Sequence, residues 1–299
     1  MMPDSLPRVT IVTPSYNQGR FIEDTIRSVL DQGYPDLEYI VIDGGSTDQT
    51  LDVLKKYAGQ LSWVSEPDGG QTDAINKGMK RARGDIVAWL NSDDMYAPGV
   101  IRQAVAAFAQ RPDVALVYGD AQWLDADGRA IGSCVSTEPF NRKRLLYYSN
   151  FICQPTTFFR RKALEEVGFL NEALHYVMDY ELWLRLSQKH RTVYLPQLIA
   201  RVRCYPETKT ASAGEVRMSE MREMIDSYGG HGLPAFYRLE RAAQQFRRAL
   251  AGLGRLRAAD AFSGACQMFR ELCDFRVIRT LSTPQFWRIA RMRSRRDHN

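Results

Sequence analysis

The sequence predicts an α/β protein, a mainly parallel sheet with flanking helices, followed by a C-terminal helical extension. Three observations predict this. Short apolar or β-branched runs alternate with helical patterns of roughly ten residues, the rhythm of βαβ units. Most of those runs end in clusters of Gly, Ser, Asn and Asp, and open α/β sheets take ligands beyond the carboxyl ends of their strands. Arginine is concentrated at the end of the chain: residues 235–299 hold 14 Arg, no Lys and 5 acids, a balance of +9 within a net charge of +5.

The elements follow in order. Arg8-Val9-Thr10-Ile11-Val12-Thr13 is β-branched and alternating, a first strand. After Pro14-Ser15-Tyr16-Asn17, the residues Phe21, Ile22, Ile26, Val29 and Leu30 recur at helical spacing until Gly33-Tyr34-Pro35. Leu37 to Ile42 reads as a second strand, and Ser46 with Gln49 forms a capping-box pattern for a helix through Lys56. A third strand is expected over 61–65, a helix over 72–83, a buried strand over 86–90, a helix over 100–110 and a strand over 114–118. Asp125-Ala126-Asp127-Gly128, between 121–124 and 130–133, signals a hairpin. Gln154 to Arg161 reads as a strand running into a helix that stops at Gly168. A further helix places Asp179 and Tyr180 at its start and Leu182, Trp183 and Leu186 on its apolar face. The expected domains are 1–212, in two halves over about 7–120 and about 121–212, and an extension over 213–299.

With 299 residues, 44% of them hydrophobic, the chain can bury a full core. No apolar run approaches the ~18–20 residues of a membrane span, and Met1-Met2-Pro3-Asp4-Ser5 has no signal-peptide pattern. The five cysteines are odd in number and widely spaced, without a CxxC pair, which fits reduced thiols and a cytoplasmic location. Neither GxGxxG after a strand nor GxxxxGK[ST] occurs, so no dinucleotide fingerprint and no P-loop is indicated.

The polar strand ends are the candidate site. Thr13, Pro14, Ser15 and Tyr16 could wall a base or ribose, and Asp43 offers a carboxylate to a base N–H or a ribose. Pro67-Asp68-Gly69-Gly70-Gln71-Thr72-Asp73 is a Gly-rich approach to a helix N-terminus, where backbone N–H groups can face an anion. Asn91-Ser92-Asp93-Asp94 leaves the buried 86–90 strand with an amide, a hydroxyl and two carboxylates, hard oxygen donors suited to Mg²⁺ or Mn²⁺. Each cluster also has a structural reading: Ser15 as a cap, Asp43 with Gly44-Gly45 as a turn, Asp73 as a dipole partner, Asn91 to Pro98 as a solvated turn.

Val12-Thr13-Pro14-Ser15-Tyr16-Asn17, Val41-Ile42-Asp43-Gly44-Gly45-Ser46-Thr47-Asp48, Gly70-Gln71-Thr72-Asp73-Ala74-Ile75-Asn76-Lys77-Gly78 and Trp89-Leu90-Asn91-Ser92-Asp93-Asp94 resemble, in order and spacing, the signature blocks of family 2 glycosyltransferases. The resemblance covers about residues 7–212. It implies the Rossmann-like GT-A fold and an inverting enzyme that moves a sugar from a nucleoside-diphosphate donor, a UDP-sugar by expectation, to an acceptor hydroxyl. It further implies that Pro14, Tyr16 and Asp43 bind the donor nucleoside and that Asp73 and Lys77 lie near it. Asn91, Ser92 and Asp93 match the DxD motif with Asn in the first position. Asp93 then binds Mn²⁺ or Mg²⁺ with Asp94 beside it.

His175-Tyr176-Val177-Met178-Asp179-Tyr180 resembles the family's Glu-Asp base motif with Met178 in place of Glu, which makes Asp179 the expected catalytic base. Its structural reading is a helix cap. Arg201-Val202-Arg203 and Lys209-Thr210 are expected in a loop after Leu195-Pro196-Gln197, as further donors to the diphosphate, with Cys204 and Tyr205 where a His is common. Without a QxxRW motif or a membrane span, a non-processive enzyme of surface polysaccharide or glycolipid synthesis is expected, acting on a glycan or lipid-linked acceptor. Phe236, Leu239, Ala243, Phe246, Leu250 and Leu253 share one helical face. For 235–299, packing on the catalytic domain competes with a peripheral contact to the inner face of an anionic membrane. Nucleic-acid binding ranks below both, because no known motif accompanies the arginines. A nucleotide-sugar-binding protein without transferase activity is the other alternative.

Overall fold

In the computed structural model, which describes residues 6–134, 137–209 and 214–242, alternation of strand and helix builds the first half as the periodicity requires. β1 (Val9–Ser15), α1 (Ile22–Leu30), β2 (Leu37–Asp43), α2 (Thr50–Lys56), β3 (Ser62–Ser65), α3 (Gln71–Arg81) and β4 (Ile86–Trp89) follow one another. β1 pairs in parallel with both β2 and β4, and β2 with β3. The second half adds β5 (Met95–Tyr96), α4 (Val100–Gln110), β6 (Val114–Leu124), β7 (Ala130–Cys134), β8 (Phe158–Arg160), α6 (Arg161–Val167), α7 (Met178–Leu186) and β9 (Arg191–Arg203), while α5 (Arg142–Tyr147) belongs to a second unit. The sheet runs β3-β2-β1-β4-β8-β6-β9-β5, with β7 on β6. β8 is antiparallel to both β4 and β6, β6 and β9 are parallel, and β5 closes the order antiparallel to β9.

Each strand turns one set of side chains to each helical layer. Val9, Ile11, Ile86, Ala88 and Leu90 face the core formed with Ile22, Ile26 and Val29 of α1 and Ile101, Ala104 and Phe108 of α4. Val12 and Ile42 face the other way, toward α3. That approach is close: a Cβ on Gly78 would lie 2.3 Å from Val12 Cγ1, so only glycine lets the helix backbone reach the strand. On the same side Trp89, Phe159 and Trp183 pack mutually, at 5.5, 5.9 and 5.6 Å between ring centroids, which joins β4, β8 and α7.

Some expectations shift. Val114 to Leu124 is one long strand with irregular register, because β9 pairs with all of it. Arg201-Val202-Arg203 belongs to β9 and not to a loop. The Ser46–Gln49 capping box is not used: α2 starts at Thr50, where the backbone N–H donates to Asp48 Oδ1 at 2.9 Å.

A second compact unit takes Asn141–Phe151 together with the chain from Gly214, so the separate helical part also draws on a segment inserted before β8. Asn141 caps α5 by accepting from Arg144 N at 3.1 Å. α8 (Gly214–Ser227) buries Met218, Met221, Met224 and Ile225. Residues 235–242 are helical and tie to α8 through Arg241–Glu215 at 3.3 Å and Arg217–Glu240 at 3.8 Å. The start of the Arg-rich stretch is therefore a packed helix with Leu239 and Ala242 buried. The expectations for 243–299 fall outside the described residues.

Gly78→Val drives a branched side chain into Val12. We expect a loss of roughly 1–3 kcal/mol from overpacking, read by urea unfolding as a lower midpoint at constant slope.

Candidate active site

β4 delivers its chain end into a polar turn that is far from solvated. Asp94 N donates to Asn91 O at 3.1 Å, closing the turn Asn91-Ser92-Asp93-Asp94. Asp94 is 3% exposed. Its Oδ1 accepts from Arg203 N at 3.1 Å, its Oδ2 from Asn91 Nδ2 at 3.2 Å, and its carbonyl from Thr25 Oγ1 at 2.7 Å. Arg203 donates to Asp93 O at 3.1 Å and to Asp24 Oδ2 at 2.6 Å, with its guanidinium 4.8 Å above the Phe21 ring. Asp94 and Arg203 thus serve the turn from inside. Ser92 is also buried. Asp93 is the half-buried member, and Tyr205 Oη donates to its Oδ2 at 3.0 Å.

Burial holds the Asp93 carboxyl above the usual carboxylate range, and it holds Asp94 well above it, with the neighbouring Asp93 charge adding to the effect. Two adjacent carboxyls that burial disfavours as anions gain from a cation bound beside them. Among the described residues, no group of three or more His, Cys, Asp or Glu could hold a metal by itself. The donor set fits Mg²⁺ or Mn²⁺ in another way: such ions take one or two carboxylates and complete their shell with substrate phosphate and water. With both Asp94 oxygens engaged inside the turn, Asp93 is the carboxylate placed to serve.

The amide Asn91 connects the turn outward. Its Oδ1 accepts from Gln71 Nε2 at 2.8 Å, and Gln71 Oε1 accepts from Lys209 Nζ at 2.9 Å. Lys209 lies 5.7 Å from the centre of the Tyr176 ring. Asn91 Nδ2 also donates to Gln154 Oε1 at 3.1 Å, and Gln154 Nε2 to Trp89 O at 2.9 Å. Gln71, Asn91, Asp94 and Lys209 are therefore brought together, with Gln154 added. Arg201 lies two residues before Arg203, opposite Met95, with its buried Nε lacking a partner among the described residues.

The ends of β1 and β2 are stitched to each other. Asn17 N donates to Ser46 Oγ at 2.7 Å and Asn17 Oδ1 accepts from Thr47 N at 2.9 Å, with Asn17 at φ 51°, an uncommon left-handed residue. Asp43 is fully buried. Its carboxylate accepts from Gly45 N, Ser46 N, Ser46 Oγ and Ser65 Oγ at 3.2, 2.9, 2.5 and 2.6 Å, so it organises the loop after β2. Thr13 turns inward to the Tyr39 hydroxyl at 3.1 Å, and Pro14 is buried. Ser15 Oγ is buried without a partner among the described residues. Tyr16 is 62% exposed and presents an open ring at this rim.

At the N-terminus of α3, Asp73 Oδ2 accepts from Gly69 N at 2.8 Å and lies 3.2 Å from Lys77 Nζ. The Gly69 N–H, with Lys77 assisting, holds the Asp73 carboxyl below its ordinary range. α3 also grips the segment leading to α7. Asn76 Nδ2 donates to Leu170 O and to Glu172 Oε1, each at 2.9 Å, and Asn76 Oδ1 accepts from Leu170 N at 3.0 Å. Asp179 then sits half-buried in the first turn of α7, its Oδ1 accepting from Tyr180 N at 2.7 Å. Glu181 is engaged elsewhere: both of its oxygens accept from Arg185 at 2.9 Å, while Arg185 also holds the carbonyls of Val167, Gly168 and Phe169.

Residues 10–168 match the family described as Glycosyl transferase family 2. The chain belongs to that family. It is 26% identical over 232 residues to an uncharacterised glycosyltransferase of Rickettsia prowazekii, covering 75% of this chain and 71% of that protein. A chondroitin synthase of Escherichia coli is 30% identical over 186 residues, 61% of this chain but 27% of the synthase. Among solved structures, S. aureus TarS in complex with UDP-GlcNAc aligns at TM-score 0.57 and 21% identity, covering 73% of this chain and 65% of that one. The mannosyltransferase PcManGT of Pyrobaculum calidifontis, in complex with GDP-Man and Mn²⁺, aligns at TM-score 0.55 and 17% identity over 89% and 88% of the two chains. These likenesses establish the GT-A fold.

Sequence reasoning missed Gln154 and the phenol of Tyr205 on Asp93, and it placed Arg203 as a diphosphate donor where the structure makes it the turn's internal cation. The alternation Ile199-Ala200-Arg201-Val202-Arg203 was an available signal for a strand; nothing local marks Gln154. For Asp73 the sign is fixed by its lowered value. Its contribution is present above the unfolded value of about 3.9 and is lost as pH falls through the folded one. The stability difference between wild type and Asp73→Asn should be full at pH 7 and shrink steadily below about pH 4, as measured by thermal unfolding across pH.

Proposed function

We propose that this protein is an inverting, non-processive glycosyltransferase that moves a sugar from a nucleoside-diphosphate sugar, a UDP-sugar first, to a hydroxyl of a glycan or lipid-linked acceptor in surface polysaccharide synthesis. The observation that carries the reading is the buried turn after β4, which engages both Asp94 oxygens internally and leaves the half-buried Asp93 carboxylate at its outer side in a chain of this family. TarS with UDP-GlcNAc and PcManGT with GDP-Man and Mn²⁺ support a nucleotide-sugar donor and a divalent cation.

In this reading Tyr16 and Ser15 receive the nucleoside on the rim that Thr13, Pro14 and the Asp43-held loop keep in shape. Asp73 and Lys77 fix the α3 N-terminus beside it, and Gln71, Asn91 and Ser92 shape the floor. Asp93 would hold Mn²⁺ or Mg²⁺, which would offset the negative charge that gathers on the leaving diphosphate. Lys209 and Arg201 add cationic donors to the same oxygens. Asp179 accepts the proton of the attacking hydroxyl on the opposite face of the sugar, so an α-linked donor gives a β-linked product. For the chain from 235 onward, contact with an anionic membrane remains part of the proposal, and pelleting with anionic vesicles that is reversed by salt tests it.

One observation favours a second reading, a nucleotide-sugar binder without transfer: Asp179 is already engaged within the first turn of its own helix, accepting from Tyr180 N. A single substitution separates the two. If Asp179 is the base, Asp179→Asn keeps donor affinity while turnover falls by ~10² or more. If it serves only the first turn of its helix, the Asn carbonyl oxygen can accept the same bond and turnover stays near wild type. The donor is identified beforehand by screening nucleotide sugars with Mn²⁺ for a raised Tm, where saturation at about 100 Kd adds about 2.7 kcal/mol. Chelation and Asp93→Ala should each abolish transfer, and added Mn²⁺ should rescue the first but not the second. Full transfer in excess chelator would exclude the metal-dependent mechanism.

A further inference from the structure

The DxD-like turn departs from the family pattern at Asn91, and the hydrogen bonds explain why an amide stands there. Both hydrogens of Asn91 Nδ2 are used, on Asp94 Oδ2 at 3.2 Å and on Gln154 Oε1 at 3.1 Å. Its one carbonyl oxygen takes Gln71 Nε2 at 2.8 Å. The orientation of all three amides is determined from the two ends of this chain. Trp89 O can only accept, so Gln154 must direct Nε2 toward it and Oε1 toward Asn91. Lys209 Nζ can only donate, so Gln71 must direct Oε1 toward it and Nε2 toward Asn91. Flipping any one amide sets donor against donor and acceptor against acceptor.

We propose that Asn91 is a positioning residue, and that the turn requires its amide and not the carboxylate of the usual pattern. The inference rests on the transferase reading for its activity arm only. A carboxylate at position 91 would keep the Gln71 contact and lose the other two. It would set one oxygen, in place of Nδ2, against two acceptors about 3.1–3.2 Å away, one of them the carboxylate of a nearly fully buried Asp94, with no added counter-charge. The side-chain clamp across the turn then opens, leaving the Asp94 N–Asn91 O bond to define it, and Asp93 loses the geometry in which the turn presents it. Gln154 acts through the same contact: it ties the amide to the last carbonyl of β4.

The test compares wild type with Asn91→Asp and with the double exchange that combines Asn91→Asp and Asp94→Asn. The exchange returns one donor and one acceptor to the 91–94 contact, while the amide oxygen introduced at position 94 can still accept from Arg203 N. Cation-free Tm, Mn²⁺ affinity by calorimetry and steady-state transfer are measured on each. We expect Asn91→Asp to lower the cation-free Tm and to cut kcat about tenfold or more, the scale on which misplaced groups act, with Mn²⁺ still bound. The exchange should recover most of the Tm and part of kcat. Asn91→Asp with wild-type Tm and equal or higher kcat would overturn the proposal, since position 91 would then simply accept a carboxylate. So would an exchange variant no more stable than the single one. If wild type transfers from no nucleotide sugar, the transferase reading fails, and the Tm comparison still decides the role of Asn91.

Discussion

Two adjacent carboxylates buried at the end of a strand are costly, because ionised groups removed from water need partners. Asp93 and Asp94 find them in residues that arrive from far along the chain: Arg203 and Tyr205 from the end of β9, Asn91 from the turn itself, and Thr25 from α1. Burial nonetheless keeps both carboxyls above their ordinary range, so the compensation is incomplete. Much of the surrounding architecture can be understood as what this turn needs. β9 must reach across the sheet to deliver Arg203, and β5, only two residues long, is held in place by pairing with it. Arg203 is fixed in turn by Asp24 and the Phe21 face.

The same constraint joins the two halves of the sheet domain. α3 approaches β1 closely enough to require Gly78, and from that position Asn76 holds the 170–172 segment with three hydrogen bonds. Thr72 adds a bond to Leu174 O at 3.1 Å. One helix therefore presents Gln71 and Asp73 at its N-terminus and sets the path of the chain into α7. The first turn of α7, with Asp179, inherits its position from the helix that shapes the other half. Arg185, bound to three carbonyls at the end of α6, fixes the far side.

Much of this was legible in the sequence where the cause is local. The β1 to β4 alternation, the Gly33 and Gly168 stops and the 125–128 hairpin each arise from residues within a few positions of the element they define. The strand-end clusters were legible for the same reason. What the chain concealed is long-range. Tyr205 and Asp93 are 112 residues apart, Asn91 and Gln154 are 63 apart, and no periodicity signals such a pairing. Asp43 shows the converse limit: a carboxylate before Gly-Gly reads equally as a ligand contact or a loop organiser, and its four donors, from Gly45, Ser46 and Ser65, carry no local mark. Ser46 matched a capping box by pattern, yet its hydroxyl is engaged with Asp43 and Asn17, because a tertiary partner outcompeted the local one.

The stack of Trp89, Phe159 and Trp183 has a photophysical consequence. Its rings lie nearly parallel, at 6° to 22° between planes, and both indole N–H groups are buried without hydrogen-bond partners among the described residues. Indoles so shielded emit toward the blue, and two of them 5.9 Å apart exchange excitation energy efficiently. Trp89 is two residues from Asn91, and Trp183 is one helical turn from Asp179. The protein thus carries an intrinsic fluorophore pair whose members adjoin the carboxylate turn and the proposed base, so a shift of either relative to the other would alter the emission without any attached label.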